Sequence, residues 1–424
     1  MTSTFPVLPS YTYDKPQDLR LYSSGHGVHL FTKGGKKVLD GLSGSMNANL
    51  GHGNAAIADA MARHALGLSS IPSVAGDISD DCLALAEKLR DFLGLPDATC
   101  SFTSSGSEAT EAALAIVWKY WSVMGRPRKT KILSLDGSYH GCTLGALAIT
   151  GRSDEHVDVP VLPNFRLALP SWDPFDGSRV STALEEILSH MGSETIAAIF
   201  LEPVMGLAGM VPAAKEDIKK VLSICKSNDI LVVLDEALTG MGRVGHRTAA
   251  NSYDIDHDLL LVSKGLGCGF VPIAATCVTA HISSALGTSF PALRHGHTSS
   301  GNPIAASVAS TVIDELEACD AITNALQMGN VFLDQMAAGI AKLPEKYDLR
   351  ATGLCLAVET DDSSYAQRVR QAAFDLGLRI RAIDRNIIVC PPLVILEREI
   401  TEMASILSRA LAVAEKGQKS GGVR

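Results

Sequence analysis

The chain has 424 residues, 46 of them acidic and 37 basic, for a formal charge of −9 at pH 7. An apolar fraction of 46% against 20% charged residues excludes a disordered polymer, and the acidic balance argues against a broad nucleic-acid surface. No stretch approaches the roughly 20 apolar residues that span a bilayer. The opening MTSTFPVLPSYTYDKPQ has neither a basic segment nor an apolar run, and the nine cysteines are scattered without a C-x-x-C pair. Both features lead us to expect a cytoplasmic protein with reduced thiols.

In chain order, residues 10–50 are rich in Gly and Ser, with short strand-like pieces at 27–31 and 37–39. Ser105 and Glu108 have capping-box spacing and open a helix whose inner face carries Ala109, Ala112, Ala113, Ile116, Val117 and Tyr120. Short β-rich apolar runs follow at 132–135, 196–201, 230–234, 259–262 and 273–278. Runs of this kind suit strands buried on both faces, as in a parallel sheet. Between the second and third, Ile218, Val221, Leu222 and Cys225 recur at helical spacing up to Asn228-Asp229. Strand, helix and strand in about 35 residues is a βαβ unit. Beyond Asn302-Pro303 comes a long helical region to about 343, then mixed segments. A last helix carries Ile400, Met403, Ile406, Leu407, Ala410 and Leu411 on one face, and the tail 414–424 reads as frayed. The expected architecture is a large, doubly wound, mostly parallel α/β domain over 51–305. Segments 1–50 and 306–424 form a smaller α+β domain beside it.

Four local signals carry chemistry. Asp235-Glu236 follows an apolar strand, which puts an acid at the carboxyl end of the sheet, where open α/β folds bind ligands. A nucleotide-hydrolysing reading needs G-x-x-x-x-G-K-[ST], and the chain's Gly35-Lys36 lacks both the first glycine and the hydroxyl. Lys264 also follows an apolar strand, with glycines at 265, 267 and 269. An amine and a carboxylate at one sheet edge is what pyridoxal phosphate requires: a Schiff-base lysine and an acid against the pyridine nitrogen. Ser105-Gly106-Ser107 at a helix N-terminus offers N–H groups and hydroxyls to a phosphate. Tyr139-His140-Gly141, just past the strand at 132–135, brings a ring able to stack on a planar cofactor. Alone, each has a plainer reading: a strand-ending Asp, a snorkelling Lys, a capped helix, a surface Tyr. Gly51-His52-Gly53-Asn54-Ala55-Ala56 fits the loose dinucleotide pattern but follows a poor strand, and no H-E-x-x-H or His/Cys cluster points to a metal.

These residues, in this order, resemble the class III (omega-) aminotransferases, pyridoxal-phosphate enzymes of fold type I. The similarity runs from about Gly27 to Met403. It includes Asp40-Gly41, Leu50-Gly51-His52, Glu202-Pro203-Val204, the segment from Gly240 to Gly245, Ser263-Lys264-Gly265, the segment from Thr298 to Pro303, and Pro391-Pro392-Leu393. The resemblance implies that Lys264 holds the cofactor and shuttles a proton, while Asp235 keeps the ring nitrogen protonated. Ser105, Gly106 and Ser107 would bind phosphate, with Tyr139 and His140 at the ring. Glu202 would belong to the polar network beside ring and lysine, Ala237 would lie under the ring, and Thr298 would reach the phosphate of a neighbouring subunit.

The closest likeness is to the amine and omega-amino acid:pyruvate branch. There Arg381 would swing toward a substrate carboxylate, and Met46 would line the pocket with Tyr139. Leu238 and Ile388 depart from the ornithine branch at positions where it has Gln and Arg. The expected activity is transfer of an amino group from an amine or omega-amino acid to pyruvate or 2-oxoglutarate, by a ping-pong mechanism in a homodimer with shared sites. An aminomutase or decarboxylase of the same fold, and more distantly a non-catalytic binding protein, are the alternatives.

Overall fold

The computed structural model describes residues 7, 10, 19–157, 159–160, 162, 165–173, 178–288, 293–341, 343 and 347–420, with backbone only at 416–420. Its centre is a seven-stranded sheet of β1 (Thr99–Thr103), β2 (Lys131–Leu135), β3 (Arg166–Leu169), β4 (Ile196–Leu201), β5 (Leu231–Asp235), β6 (Leu259–Val262) and β7 (Ala274–Val278), in the order β1-β7-β6-β5-β4-β2-β3. The block from β6 to β3 is parallel. β7 runs antiparallel to both β6 and β1. It is the antiparallel exception in the mostly parallel sheet expected from the apolar runs. The connection over 263–273 is too short for the dozen or more residues a parallel crossover takes, so the chain doubles back.

The strands are apolar throughout because both faces are covered. Leu231 and Val233 of β5 join the layer holding Ala109, Ala113, Val117 and Trp121 of α1 (Gly106–Val123). Val232 and Leu234 join the opposite layer with Ile218, Val221 and Cys225 of α2 (Lys215–Ser227). Side chains alternate across a strand, so a strand sandwiched between two layers shows no polar alternation.

Two four-stranded sheets flank this body. In one, Tyr22–His26, His29–Thr32 and Lys37–Asp40 are joined by Leu378–Arg379, so the two ends of the chain share a sheet. The other is antiparallel and comprises Asp348–Thr352, Cys355–Glu359, Asn386–Val389 and Arg381–Ile383. The long helical region is two helices, α3 (Pro303–Ala318) and α4 (Ala321–Ile340), broken where Asp320 takes the left-handed φ of +49°. The last helix, α5 (Glu397–Ser420), continues well past the point where fraying is expected, with Ala414 still buried; residues 421–424 lie outside the described set.

Arg243 ties these parts together. It is fully buried, and Nη1 donates to the carbonyl of Pro391 while Nη2 donates to Ser43 Oγ at 3.0 Å and Asn49 Oδ1 at 2.7 Å. One guanidinium on the loop after β5 thus holds an N-terminal and a C-terminal segment at once. Removing it strands several buried acceptors. Arg243→Met is expected to lower the stability of the apo protein by about 2–4 kcal/mol. Urea unfolding measures this, and a loss below about 1 kcal/mol would show the tie to be dispensable.

Candidate active site

Strand register assembles the site. Leu201 pairs with Leu234, and Asp235 pairs with Leu261. The residues that follow, Glu202, Asp235 itself and Lys264, therefore emerge together at the carboxyl edge of the sheet. A cavity of about 230 Å³ opens there, lined by Ser45, Met46, Tyr139, Glu155, Glu202, Gly206, Leu207, Asp235, Ala237, Leu238, Lys264 and Arg381.

Asp235 ends β5 nearly sealed from solvent, at 6% exposure. Its Oδ2 accepts from His140 Nδ1 at 2.9 Å and its Oδ1 accepts from the Ala237 N–H at 3.1 Å. Because an ionised carboxylate only accepts, the ring proton of His140 belongs on Nδ1. His140 is pinned in turn: its N–H donates to Thr150 Oγ1 at 3.0 Å and its carbonyl accepts from Thr110 Oγ1 at 2.7 Å. It thus stands behind Asp235, outside the cavity lining.

Glu202 Oε1 accepts from the Tyr139 N–H at 2.8 Å and Oε2 from the Gly206 N–H at 3.2 Å. Burial pushes its carboxyl up to about 7, and the charge of Asp235 adds to that; His140 and the two N–H groups pull the other way. Next to Asp235, Glu236 is turned away from the cavity. It accepts from the N–H groups of Ala249 and Ala250 at 2.6 and 2.7 Å and from Thr239 Oγ1 at 2.9 Å. Its carboxyl too is raised by burial to about 7.

Lys264 is half-buried and carries a φ of +24°, while Met46 across the cavity has +62°. Non-glycine residues held in that region store about 1–3 kcal/mol each and concentrate at functional sites. The Ser-Gly-Ser turn borders the same space. A Cβ added to Gly106 would stand 3.5 Å from Ser263 Oγ and 3.8 Å from Ala237 Cβ. Ser105 Oγ caps α1 by accepting from the Glu108 N–H at 3.2 Å, and Ser107 Oγ accepts from the Cys142 N–H at 3.1 Å. Gly141, with φ +132°, packs against Ser107 so closely that any side chain would collide.

The structure therefore brings Met46, Tyr139, Glu202, Asp235, Ala237, Lys264 and Arg381 around one cavity, with Ser105, Gly106 and Ser107 at its border and His140 behind. Thr298 is not among the described residues lining it. It is exposed, on a segment where the Ser300 carbonyl accepts from the Ser73 N–H at 2.8 Å and His297 Nδ1 lies 3.9 Å from Glu108 Oε1. Ser45, Glu155 and Leu207 also line the cavity without having stood out in the sequence, because loops and a short turn deliver them with no diagnostic spacing. Ile388 is fully buried and directly opposite Arg381 on the neighbouring strand.

A primary amine and an acid on one cavity, with an 18-residue helix opening with Gly and Ser at its rim, fit what pyridoxal phosphate needs: an amine for its aldehyde, an acid for its ring nitrogen and N–H groups for its phosphate. Fold and site together define a pyridoxal-phosphate enzyme of fold type I.

Comparison with known proteins agrees. The family model described as Aminotransferase class-III matches residues 11–411. A transaminase structure from the marine bacterium Virgibacillus superposes with a TM-score of 0.93 at 28% identity, covering 97% of each chain. An amine transaminase from an uncultivated Pseudomonas species, in its PLP-bound form, gives a TM-score of 0.92 at 28% identity over 96% of this chain and 98% of that one. Among curated relatives, gamma-aminobutyrate transaminase 1 of Oryza sativa subsp. indica is 30% identical over 92% of this chain and 80% of its own length. The chain belongs to the class-III aminotransferases and is a pyridoxal-phosphate-dependent transaminase.

The raised carboxyls have a measurable consequence. A group whose folded pKa exceeds its unfolded value stabilises the fold fully below the unfolded value and loses that contribution as pH rises through the folded one. For Glu202 the window runs from about 4.5 to about 7. Stability of the apo protein is expected to decline across it, with Glu202→Gln removing a share on the order of 1–3 kcal/mol. Denaturation midpoints between pH 4.5 and 8 test this; an unchanged slope in the variant would contradict the assignment.

Proposed function

We propose that this transaminase moves the amino group of an amine or omega-amino acid to a keto acid, pyruvate or 2-oxoglutarate, in two half-reactions at the cavity between Lys264 and Arg381. The observation that carries the reading is that Lys264, Asp235 and Arg381 line one cavity. When bound, pyridoxal phosphate supplies an aldehyde for a primary amine and a ring that takes up the electrons left on carbon when a proton departs. Lys264 is the residue placed to hold it and, once displaced by the donor, to take a proton from the donor's amine-bearing carbon and return it elsewhere. Asp235, oriented by His140 and the Ala237 N–H, keeps a proton on the ring nitrogen. Gly106 and Ser107 bind the phosphate at the start of α1, with Ser105 shaping the turn. Tyr139 and Ala237, both on the cavity lining, would pack against the ring. Glu202, with its raised carboxyl, supplies a hydrogen bond near ring and lysine.

Arg381 pairs with a substrate carboxylate as a planar fork, and Met46 adapts the apolar side of the pocket. The relatives named for gamma-aminobutyrate and for diaminobutyrate with 2-oxoglutarate support an omega-amino donor carrying a carboxylate. The working form in this reading is a cytoplasmic homodimer in which Thr298 reaches the partner's phosphate. Thr298 is exposed, and its segment is tied to the one that follows the exposed, apolar Leu66 and Leu68 by the Ser73 N–H to the Ser300 carbonyl and by Asn302 Nδ2 to the Ser69 carbonyl, which supports a covered surface there. The nine free thiols suit a reducing compartment. In this reading residues 51–305 are the large cofactor-binding domain, and 1–50 and 306–424 together make the smaller one.

Lys264→Ala should abolish transamination, by at least about 10⁴-fold, while leaving the folded far-ultraviolet spectrum. Retained turnover would refute the reading. Arg381→Ala should lower kcat/KM for carboxylated donors about tenfold or more relative to plain amines, measured across a donor panel. Equal losses for the two classes would remove its role.

A further inference from the structure

All nine cysteines are free thiols, and two pairs of them meet across neighbouring strands. Cys355 and Cys390 hydrogen-bond to each other in the small antiparallel sheet, both sealed from solvent. Cys100 and Cys277 are placed differently. Cys100 lies on β1, the edge strand of the large sheet, and is partly exposed; Cys277 lies on β7 and is buried.

Strand register sets Cys100 directly opposite Cys277, and their sulfurs stand 3.3 Å apart. Directly opposed residues of antiparallel strands have Cα atoms about 4.5 or 5.5 Å apart, and a disulfide spans about 4.4–6.8 Å. The backbone therefore already stands at a disulfide's spacing. The two thiols also differ in state. The hydrogen bond to Cys100, together with burial, holds the Cys277 thiol protonated well above the usual range. A solute thus meets Cys100 first, with Cys277 behind it. A third thiol, Cys82 on the helix Asp80–Leu93, shares the same apolar layer, but it is fully buried and engaged with Ser73, and burial pushes it up to about 11.

We propose that Cys100 and Cys277 are a modification site, oxidised by hydrogen peroxide to a disulfide that clamps β1 to β7. The Cys100 sulfur attacks one peroxide oxygen, the O–O bond breaks, and water leaves with the thiol proton, giving a sulfenic acid. The Cys277 sulfur then attacks the Cys100 sulfur. The S–O bond breaks, the S–S bond forms, and a second water leaves with the Cys277 proton. Each thiol is oxidised by one electron and the peroxide is reduced by two. In a reducing compartment the bond is transient, because thiols such as glutathione reopen it.

The position gives the bond a structural consequence. As the edge strand, β1 is held within the sheet by β7 on one side only, and it runs directly into the Ser-Gly-Ser turn at the head of α1. A bond between residues 177 apart in sequence restrains the unfolded chain strongly while asking little of the folded one.

The test treats the holoenzyme with hydrogen peroxide under native conditions, blocks the remaining thiols, and maps the peptides by mass spectrometry. The expected product is a peptide pair joined through Cys100 and Cys277, released by dithiothreitol. The thermal midpoint of the oxidised enzyme should rise by about 5 °C or more and return on reduction. Cys100→Ser should lose both the bond and the rise, and Cys82→Ser should keep both. Conversion of Cys100 to a sulfinic acid without a crosslink, a bond from Cys100 to Cys82, or an unchanged midpoint in the crosslinked enzyme would overturn the proposal. The peptide map of the wild-type enzyme decides the pairing whether or not either variant folds.

Discussion

A carboxylate at the end of a strand sealed on both faces is the constraint around which this molecule is arranged. Asp235 sits where β5 leaves the core, and the neighbouring groups divide the cost of keeping it there. His140 and the Ala237 N–H meet one oxygen each. Glu202, at the same level of the next strand, faces the same burial and feels the charge of Asp235, and its carboxyl is raised to about 7. Burial and a neighbouring like charge both favour the neutral form of a carboxyl, so the raised Glu202 lessens the charge that this sealed edge has to hold.

Arg243 solves a related problem at the level of the whole chain. The polypeptide leaves the small sheets, builds the large one, and returns, so segments far apart in sequence must be brought to the lip of the cavity. A buried guanidinium has more donors than any other side chain. Here it spends them on Ser43 and Asn49 from the beginning and on Pro391 from near the end. The Asn49 carbonyl in turn accepts from the Leu393 N–H at 2.7 Å, which locks the two returning segments to each other. Met46 and Arg381 reach the cavity through this arrangement, one from each segment.

What the sequence disclosed follows from what burial does to composition. β4, β5 and β6 were legible because strands covered on both faces have no room for polar residues. β1, Thr-Cys-Ser-Phe-Thr, lies at the sheet's edge with partly exposed positions, and β3 is four residues long at the other edge; neither shows an apolar run. The break between α3 and α4 was hidden because apolar residues recur on both sides of Asp320, and only the left-handed turn separates them. Lys264 and Asp235 were legible because each follows a strand, and strand ends have a fixed address in such folds. Glu155 and Leu207 come from short connecting segments, where spacing says nothing about direction. A second, arginine-lined cavity, which shares Ser45, Met46 and Arg381 with the first, was invisible for a different reason. Positions 20, 370, 379 and 381 converge only after the first and last parts of the chain share one sheet.

That last point separates chemistry from selection. Asp235 ends β5, Lys264 follows β6 and the Ser-Gly-Ser turn follows β1 of a single sheet whose register is fixed by core packing, so their mutual positions are fixed with it. Arg381 is carried by a different sheet, opposite Ile388, and Met46 by a short irregular turn with a left-handed backbone. Arg381, opposite the buried Ile388, brings its charge to the cavity on a sheet separate from the one whose edge carries Lys264 and Asp235. It puts the charge on the partition between the catalytic cavity and the arginine-lined one rather than deep in the core. The cavity is thus lined from both kinds of segment, Glu202, Asp235 and Lys264 at the edge of the large sheet and Met46 and Arg381 from the two ends of the chain.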